Sequence, residues 1–363
     1  MLLVCHCPLF LKLPHILLRG LLCLFLGLLL ALFPGPGDLY AAEDIAISKS
    51  GTDLWQAVRQ RSETVKGISQ VPGTESGVLI NSMGQDWRHY RTKWLIPLSG
   101  GLFLFTFCAL MVYFLVRGRI PIHDGVSGKR ILRTTRTERV IHWFNAAVFL
   151  PLAFTGLLML YGRWLLIPLI GREDFAQIAA LSKAVHNYLG PLFIVSLVLL
   201  FVVFVKESFF LAKIWEHWVL RLGGYFGGRE PVSGKFNPGQ KAWFWTLSLF
   251  GSLLCLSGLV LDFPLFGLER VTMILAHVVH TLSATLVIAF LFIHIYLGGI
   301  GIVGVFQSMV HGYVDAHWAR QHHYCWYREM ARQKKIEPSA ESDSADCATR
   351  IGHNNSVQSD KSS

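Results

Sequence analysis

Five long runs of mostly apolar residues dominate this sequence: about Trp94–Val116, Val140–Tyr161, Ala184–Val205, Ala242–Leu261 and Val271–Val305. Runs of about 18 residues or more cross the ~30 Å hydrocarbon layer of a bilayer as helices. Only 15% of the residues are charged and 53% are hydrophobic, whereas a soluble domain carries roughly a quarter charged residues. The expected fold class is therefore an all-α integral membrane protein, an up-down transmembrane bundle of about five spans.

The chain is expected to divide into four parts. Residues 1–42 hold a short apolar core, LLCLFLGLLLALF, followed by Pro34-Gly35-Pro36-Gly37 and small residues. That pattern fits a secretory leader cleaved near Ala41 or Ala42, with an uncleaved first span as the competing reading. Residues 43–93 are polar, with Gly and Ser, and fit an exported segment. Residues 94–318 hold the spans, and residues 319–363 form a polar tail that ends in a Ser-, Asp- and Asn-rich stretch of disordered character.

Lys and Arg crowd the loops after the first and third runs and the tail, and are sparse in net terms after the second and fourth. The positive-inside rule places those basic loops and the C-terminus in the cytoplasm and residues 43–93 outside. The same pattern accounts for the net charge of +10, so nucleic acid is not an expected partner. None of the seven cysteines is spaced for zinc or for an iron–sulfur cluster. Any such cluster belongs to a partner.

Five of the fifteen histidines fall in or at the edges of spans: His142, His186, His277, His280 and His294. Ionisable side chains in lipid are costly, and each marks a candidate functional position. Taken singly, any of them can as well be a histidine bonded to a neighbouring helix. Imidazole is also a good axial ligand for haem iron. His280 and His294 lie fourteen residues apart, about 21 Å along one helix, with both rings near one face. His142 opens the second span on the cytoplasmic side, level with His294. His186 opens the third on the outer side, level with His280. Four histidines thus make two layers, the arrangement that two haems need. His277 sits one turn further out and is the alternative to His280. His311, His317, His322 and His323, in the tail, are expected at the surface or at a partner.

Several short pieces carry a family resemblance. Glu138-Arg139-Val140-Ile141-His142-Trp143 opens one span and His186 the next, and Lys235-Phe236-Asn237-Pro238-Gly239-Gln240-Lys241 precedes the fourth. With His280 and His294, these make the chain resemble, over roughly residues 90–330, the cytochrome b (gamma) subunit of respiratory formate dehydrogenases. The resemblance implies a subunit of the bacterial inner membrane with two b-type haems, ligated by His142, His186, His280 and His294. It implies a molybdenum- or tungsten-containing catalytic (alpha) subunit and an iron–sulfur (beta) subunit as partners, and menaquinone or ubiquinone as acceptor. It maps the quinone contact onto Asn237 and His294, with Gly239 and Gln240 close by. Read from the residues alone, Asn237-Pro238-Gly239 is a turn before a helix. A nickel–iron hydrogenase anchor or that of another molybdoenzyme is the nearest rival, and a haem-free proton-coupled transporter is the rival of another class.

Overall fold

The computed structural model describes residues 55–56, 59–60, 65–66, 78–80, 82–209, 233–263 and 268–338. The leader, its cleavage site, the basic residues Lys213, Arg221 and Arg229, and the Ser-rich end of the tail lie outside the described residues. The chain separates into two compact units, residues 1–93 with 263–276, and 94–262 with 277–363.

In the first unit, strands β1 (Val65–Lys66) and β2 (Val78–Ile80) pair antiparallel, and helix α1 runs Ser82–Tyr90. The second unit holds α2 (Ile96–Arg117), α3 (Arg136–Leu165), α4 (Ile167–Phe204) and α5 (Pro238–Asp262). It also holds most of α6 (Arg270–Ile295). Among the described residues, five helical segments are long and apolar enough to cross a membrane: Met83–Arg117, Arg136–Leu165, Ile167–Glu207, Pro238–Asp262 and Arg270–Gly301.

Local sequence explains where these helices begin and end. Thr135 caps α3 through its hydroxyl, and Glu138 returns a carboxylate to the Thr135 amide at 2.7 Å, a reciprocal box that satisfies two amides left open at a helix start. Asn237 and Gln240 do the same for α5: Gln240 N donates to Asn237 Oδ1 at 2.9 Å and Asn237 N to Gln240 Oε1 at 3.0 Å. Pro238 then occupies the first helical position, where a missing N–H costs nothing.

The third helix departs from the expected Ala184–Val205. It begins at Ile167, breaks at Gly171 (φ 85°) and resumes through Arg172-Glu173-Asp174 before becoming apolar. The polar stretch 172–183 hides this helix from a hydropathy reading, yet it packs: a Cβ on Gly162 of α3 would stand 2.7 Å from the Phe175 ring. Between α3 and α4, Asn145 Nδ2 donates to Ser196 Oγ at 3.0 Å. The Tyr161 hydroxyl ties α3 to Ser99 of α2 at 2.6 Å. Small polar side chains bonding across helices are a common means of joining membrane helices, where lipid supplies no hydrophobic drive. The main core is aromatic and aliphatic, with Phe149, Leu152, Phe193, Leu197, Phe244 and Val287 at its centre.

A second core lies beyond the spans. Strand β3 (Lys129–Leu132) pairs antiparallel with β4 (Tyr313–Asp315) and β5 (Glu337–Pro338), in the order β4-β3-β5. The short helix α7 (Val305–Val310) leads into β4, and α8 (Ala316–His322) and α9 (Tyr324–Arg332) follow it. Ile131, Val314, Trp318, Ala319 and Trp326 pack together here. Asp315 caps α8 with Oδ1 and accepts from Ser127 N and Oγ with Oδ2, which binds the loop after α2 to the tail. The chain is therefore folded well past residue 319, through Pro338.

Candidate functional site

The structure brings four of the five span histidines into two facing pairs. The rings of His142 (α3) and His294 (α6) have centres 6.1 Å apart, and those of His186 (α4) and His280 (α6) also 6.1 Å. His277 lies one turn before His280, and the ring facing His186 is that of His280. Two imidazoles bound on opposite sides of one iron, each with a metal–nitrogen bond of about 2.0 Å, place their ring centres roughly 6 Å apart. Both pairs thus fit a six-coordinate iron held by two histidines.

The pair on α4 and α6 has its ligating nitrogen selected by neighbours. Thr155 Oγ1 donates to the Pro151 carbonyl at 2.8 Å and has one proton to give, so it accepts from His186 Nδ1 at 3.0 Å. Ser257 Oγ likewise donates to the Leu253 carbonyl at 2.6 Å and accepts from His280 Nδ1 at 3.0 Å. Each Nδ1 then carries the proton, and each Nε2 keeps a lone pair for a metal, the usual way a second group orients a histidine ligand. The next residue is glycine in both cases. A Cβ on Gly156 would stand 3.3 Å from His186 Cε1, and one on Gly258 3.4 Å from His280 Cε1. Hydroxyl–glycine dipeptides, Thr155-Gly156 on α3 and Ser257-Gly258 on α5, therefore form two equivalent seats. The sequence reading missed them, although the recurrence of such a pair on spans two and four is visible there.

The other pair is set differently. His142 Nδ1 is buried and has no hydrogen-bond partner among the described residues. The Trp243 indole stacks on His294 at 5.2 Å and 20°. An unpaired buried imidazole nitrogen costs about 1–3 kcal/mol, which a bond from that atom to a metal would offset.

The loop before α5 stands next to the start of α3. Lys235 Nζ meets the Glu138 carboxylate at 2.7 Å, and Arg133 donates to the Lys235 carbonyl at 3.2 Å and to Gln240 Oε1 at 3.3 Å. Burial pulls the Arg133 guanidinium down to about 9, opposed by Glu138, so it stays charged at neutral pH. Asn237 Oδ1 and backbone N serve the helix cap, and its side-chain Nδ2 has no hydrogen bond among the described residues. Gly239 lies half-buried in the first turn of α5. Among the tail histidines, His311 is exposed, but His322 and His323 are only 5% and 1% exposed. The expectation of a surface or partner position fails for these two because α8 and α9 pack through Trp318 and Trp326, which draws them inside.

Residues 133–312 match the family described as prokaryotic cytochrome b561. That match covers the segment that carries both histidine pairs, and a cytochrome b family implies b-type haem. Over a longer stretch the chain is similar to named respiratory subunits. The formate dehydrogenase cytochrome b556(fdo) subunit of Escherichia coli K12 is 29% identical over 223 residues, covering 57% of this chain and 97% of that protein. The nitrate-inducible formate dehydrogenase cytochrome b556(Fdn) subunit of the same organism is 27% identical over 220 residues, covering 59% and 97%. A formate dehydrogenase cytochrome b556 subunit of Haemophilus influenzae is 28% identical over 225 residues, covering 57% and 87%.

Proposed function

We propose that this chain is the di-haem cytochrome b subunit of a formate dehydrogenase, anchoring the complex in a bacterial inner membrane and passing electrons to quinone. The observation that carries this reading is the pair of histidine couples, each with ring centres 6.1 Å apart. His142 and His294 would hold one haem b, and His186 and His280 the other. Bound haem would supply one-electron centres, and ligation of each by two histidines would suit it to electron transfer. The chain's own residues do the rest. Thr155 and Ser257 fix which imidazole nitrogen is presented, and Gly156 and Gly258 leave the rings room.

The quinone end falls at the start of α5. The side-chain Nδ2–H of Asn237, unbonded among the described residues, suits a quinone carbonyl, with Gly239 and Gln240 following it in the first turn of α5 and Trp243 of the same helix stacked on His294. Quinone takes up two electrons and two protons to become quinol, and oxidation of one formate to carbon dioxide releases two electrons on the catalytic partner. The concentration of Lys and Arg after spans one, three and five supports a cytoplasmic position for this end, with residues 43–93 outside. Electrons would then enter from an iron–sulfur subunit at the outer pair, His186 and His280. Menaquinone and ubiquinone both carry the carbonyls this site requires.

The relatives' names favour formate over the hydrogenase partner of the rival reading, and the two facing histidine pairs favour haem over a proton-relaying transporter. Affinity purification of the chain from its native membrane tests the assignment. A molybdenum- or tungsten-containing formate dehydrogenase should copurify, and formate should reduce the haem absorbance of the preparation. Recovery of a hydrogenase, or no reduction by formate, would overturn it.

A further inference from the structure

The tail beyond the last span grips the loop before α5 through buried polar contacts that the histidine pairs do not use. Three consecutive carbonyls of that loop are taken. Cys325 N donates to Ser233 O at 3.2 Å, His323 Nδ1 reaches Gly234 O at 2.8 Å, and Arg133 Nη2 donates to Lys235 O at 3.2 Å. Ser233 Oγ returns a bond to the His322 carbonyl at 2.8 Å. Arg133 Nη2 also lies 3.0 Å from His323 Nε2. A guanidinium offers no acceptor, so His323 Nε2 accepts, and the ring proton sits on Nδ1 where Gly234 O receives it. The Arg133 guanidinium lies 4.7 Å over the Trp318 ring, which also stacks near His323 at 5.2 Å.

The loop 233–237 has no helix or strand of its own. Its backbone is therefore held by backbone and side-chain groups from elsewhere, and the chain of contacts ends at Asn237. His323 meets Arg133, Arg133 meets Gln240 Oε1, and that same oxygen accepts the Asn237 amide. Asn237, proposed above to meet quinone, is positioned through a residue 86 places further along the chain.

We infer that the segment Ala316–Arg332 is a clamp on the loop Ser233–Gln240, in which His323 and Arg133 are positioning residues that set how Asn237 meets quinone. The second half of this inference rests on the quinone reading of Asn237, and the first half does not. Neither residue touches the reacting atoms. Loss of the His323 ring leaves Gly234 O without its donor and takes from the buried Arg133 one of its three acceptors, the others being Lys235 O and Gln240 Oε1. A glutamine there has both a donor and an acceptor and can replace the bonds in part.

The test uses the complete purified complex with His323→Leu, His323→Gln and, as a reference, Asn237→Asp. Hydrogen exchange of peptides covering 233–240 reads the clamp, and steady-state kinetics with a soluble quinone analogue reads its consequence. His323→Leu should exchange at least tenfold faster in 233–240 and raise the KM for quinone severalfold. Haem content and reduction by formate should be unchanged, and His323→Gln should fall between the two. Unchanged exchange in His323→Leu would overturn the clamp. Faster exchange with an unchanged KM, while Asn237→Asp raises it, would overturn the positioning role. If Asn237→Asp also leaves KM unchanged, the quinone reading fails, and with it the positioning half, while exchange alone still decides the clamp.

Discussion

The Glu138 carboxylate and the Lys235 ammonium stand 2.7 Å apart, with side chains only 10% and 16% exposed. They join the first turn of α3 to the loop before α5, so the two short sequences that carry the family resemblance form one structural unit. Removing one member of a buried ion pair leaves the other charge stranded and costs about 3–5 kcal/mol, whereas removing both costs much less. Lys235→Met alone should therefore destabilise the purified protein more than Lys235→Met combined with Glu138→Gln. Thermal unfolding in detergent checks the order. Equal losses would show that the pair is not coupled.

The seats of His186 and His280 make a second prediction. Thr155→Val and Ser257→Ala each remove the hydroxyl that accepts from a histidine Nδ1. Loss of such an orienting partner typically weakens a metal site 10- to 100-fold. Each variant should lose one haem faster to an apomyoglobin acceptor and keep the other at the wild-type rate. Uniform loss of both haems, or of neither, would contradict the proposed seats.

Asn237 has two separable duties. Its Oδ1 caps α5, and its side-chain Nδ2–H, unbonded among the described residues, would serve quinone. Asn237→Asp keeps a good cap and removes the donor, while Asn237→Ala loses both, at about 0.5–2 kcal/mol for the cap. The hydrogen bond to quinone is worth about 0.5–1.5 kcal/mol, so the KM for quinone should rise roughly two- to tenfold or more in Asn237→Asp. Its melting temperature should stay near wild type. A normal KM in Asn237→Asp leaves Asn237 as a cap only.

The tail should respond to acid. Burial holds the His323 imidazole well below its ordinary value of 6.5, helped by the Arg133 cation and by His322. A histidine depressed in the docked state and ordinary when released contributes fully above pH 6.5. That contribution is lost progressively as pH falls below 6.5 toward the depressed value, at about 1.4 kcal/mol per pH unit. Protease release of the segment after Gly312 should therefore accelerate between pH 7 and pH 5.5. His323→Gln, assayed in parallel, should show less change. Equal acceleration in both would assign the effect to other groups.

The bundle and the pairing of His142 with His294 and His186 with His280 could be read from the sequence because each depends on spacing. Apolar length gives the spans, and fourteen residues of helix give the separation of the layers. What the sequence concealed depends on contacts between distant segments. The helix from Ile167 is masked by its own charged turn at 172–174, although Gly162 and Phe175 interlock. His323 looked like a surface residue because its neighbours in sequence are polar, yet Arg133, Trp318 and Gly234 enclose it. Asn237 looked like a turn residue and is one, and only its two bonds with Gln240 show that its backbone amide and Oδ1, rather than Nδ2, make the cap.

If the two histidine pairs hold two haems, the haem-to-polypeptide ratio must show it. A pyridine haemochrome assay on the purified chain, with protein quantified by amino-acid analysis, should give about two haem b per polypeptide. A ratio of one or zero in freshly purified, fully folded protein would contradict the claim.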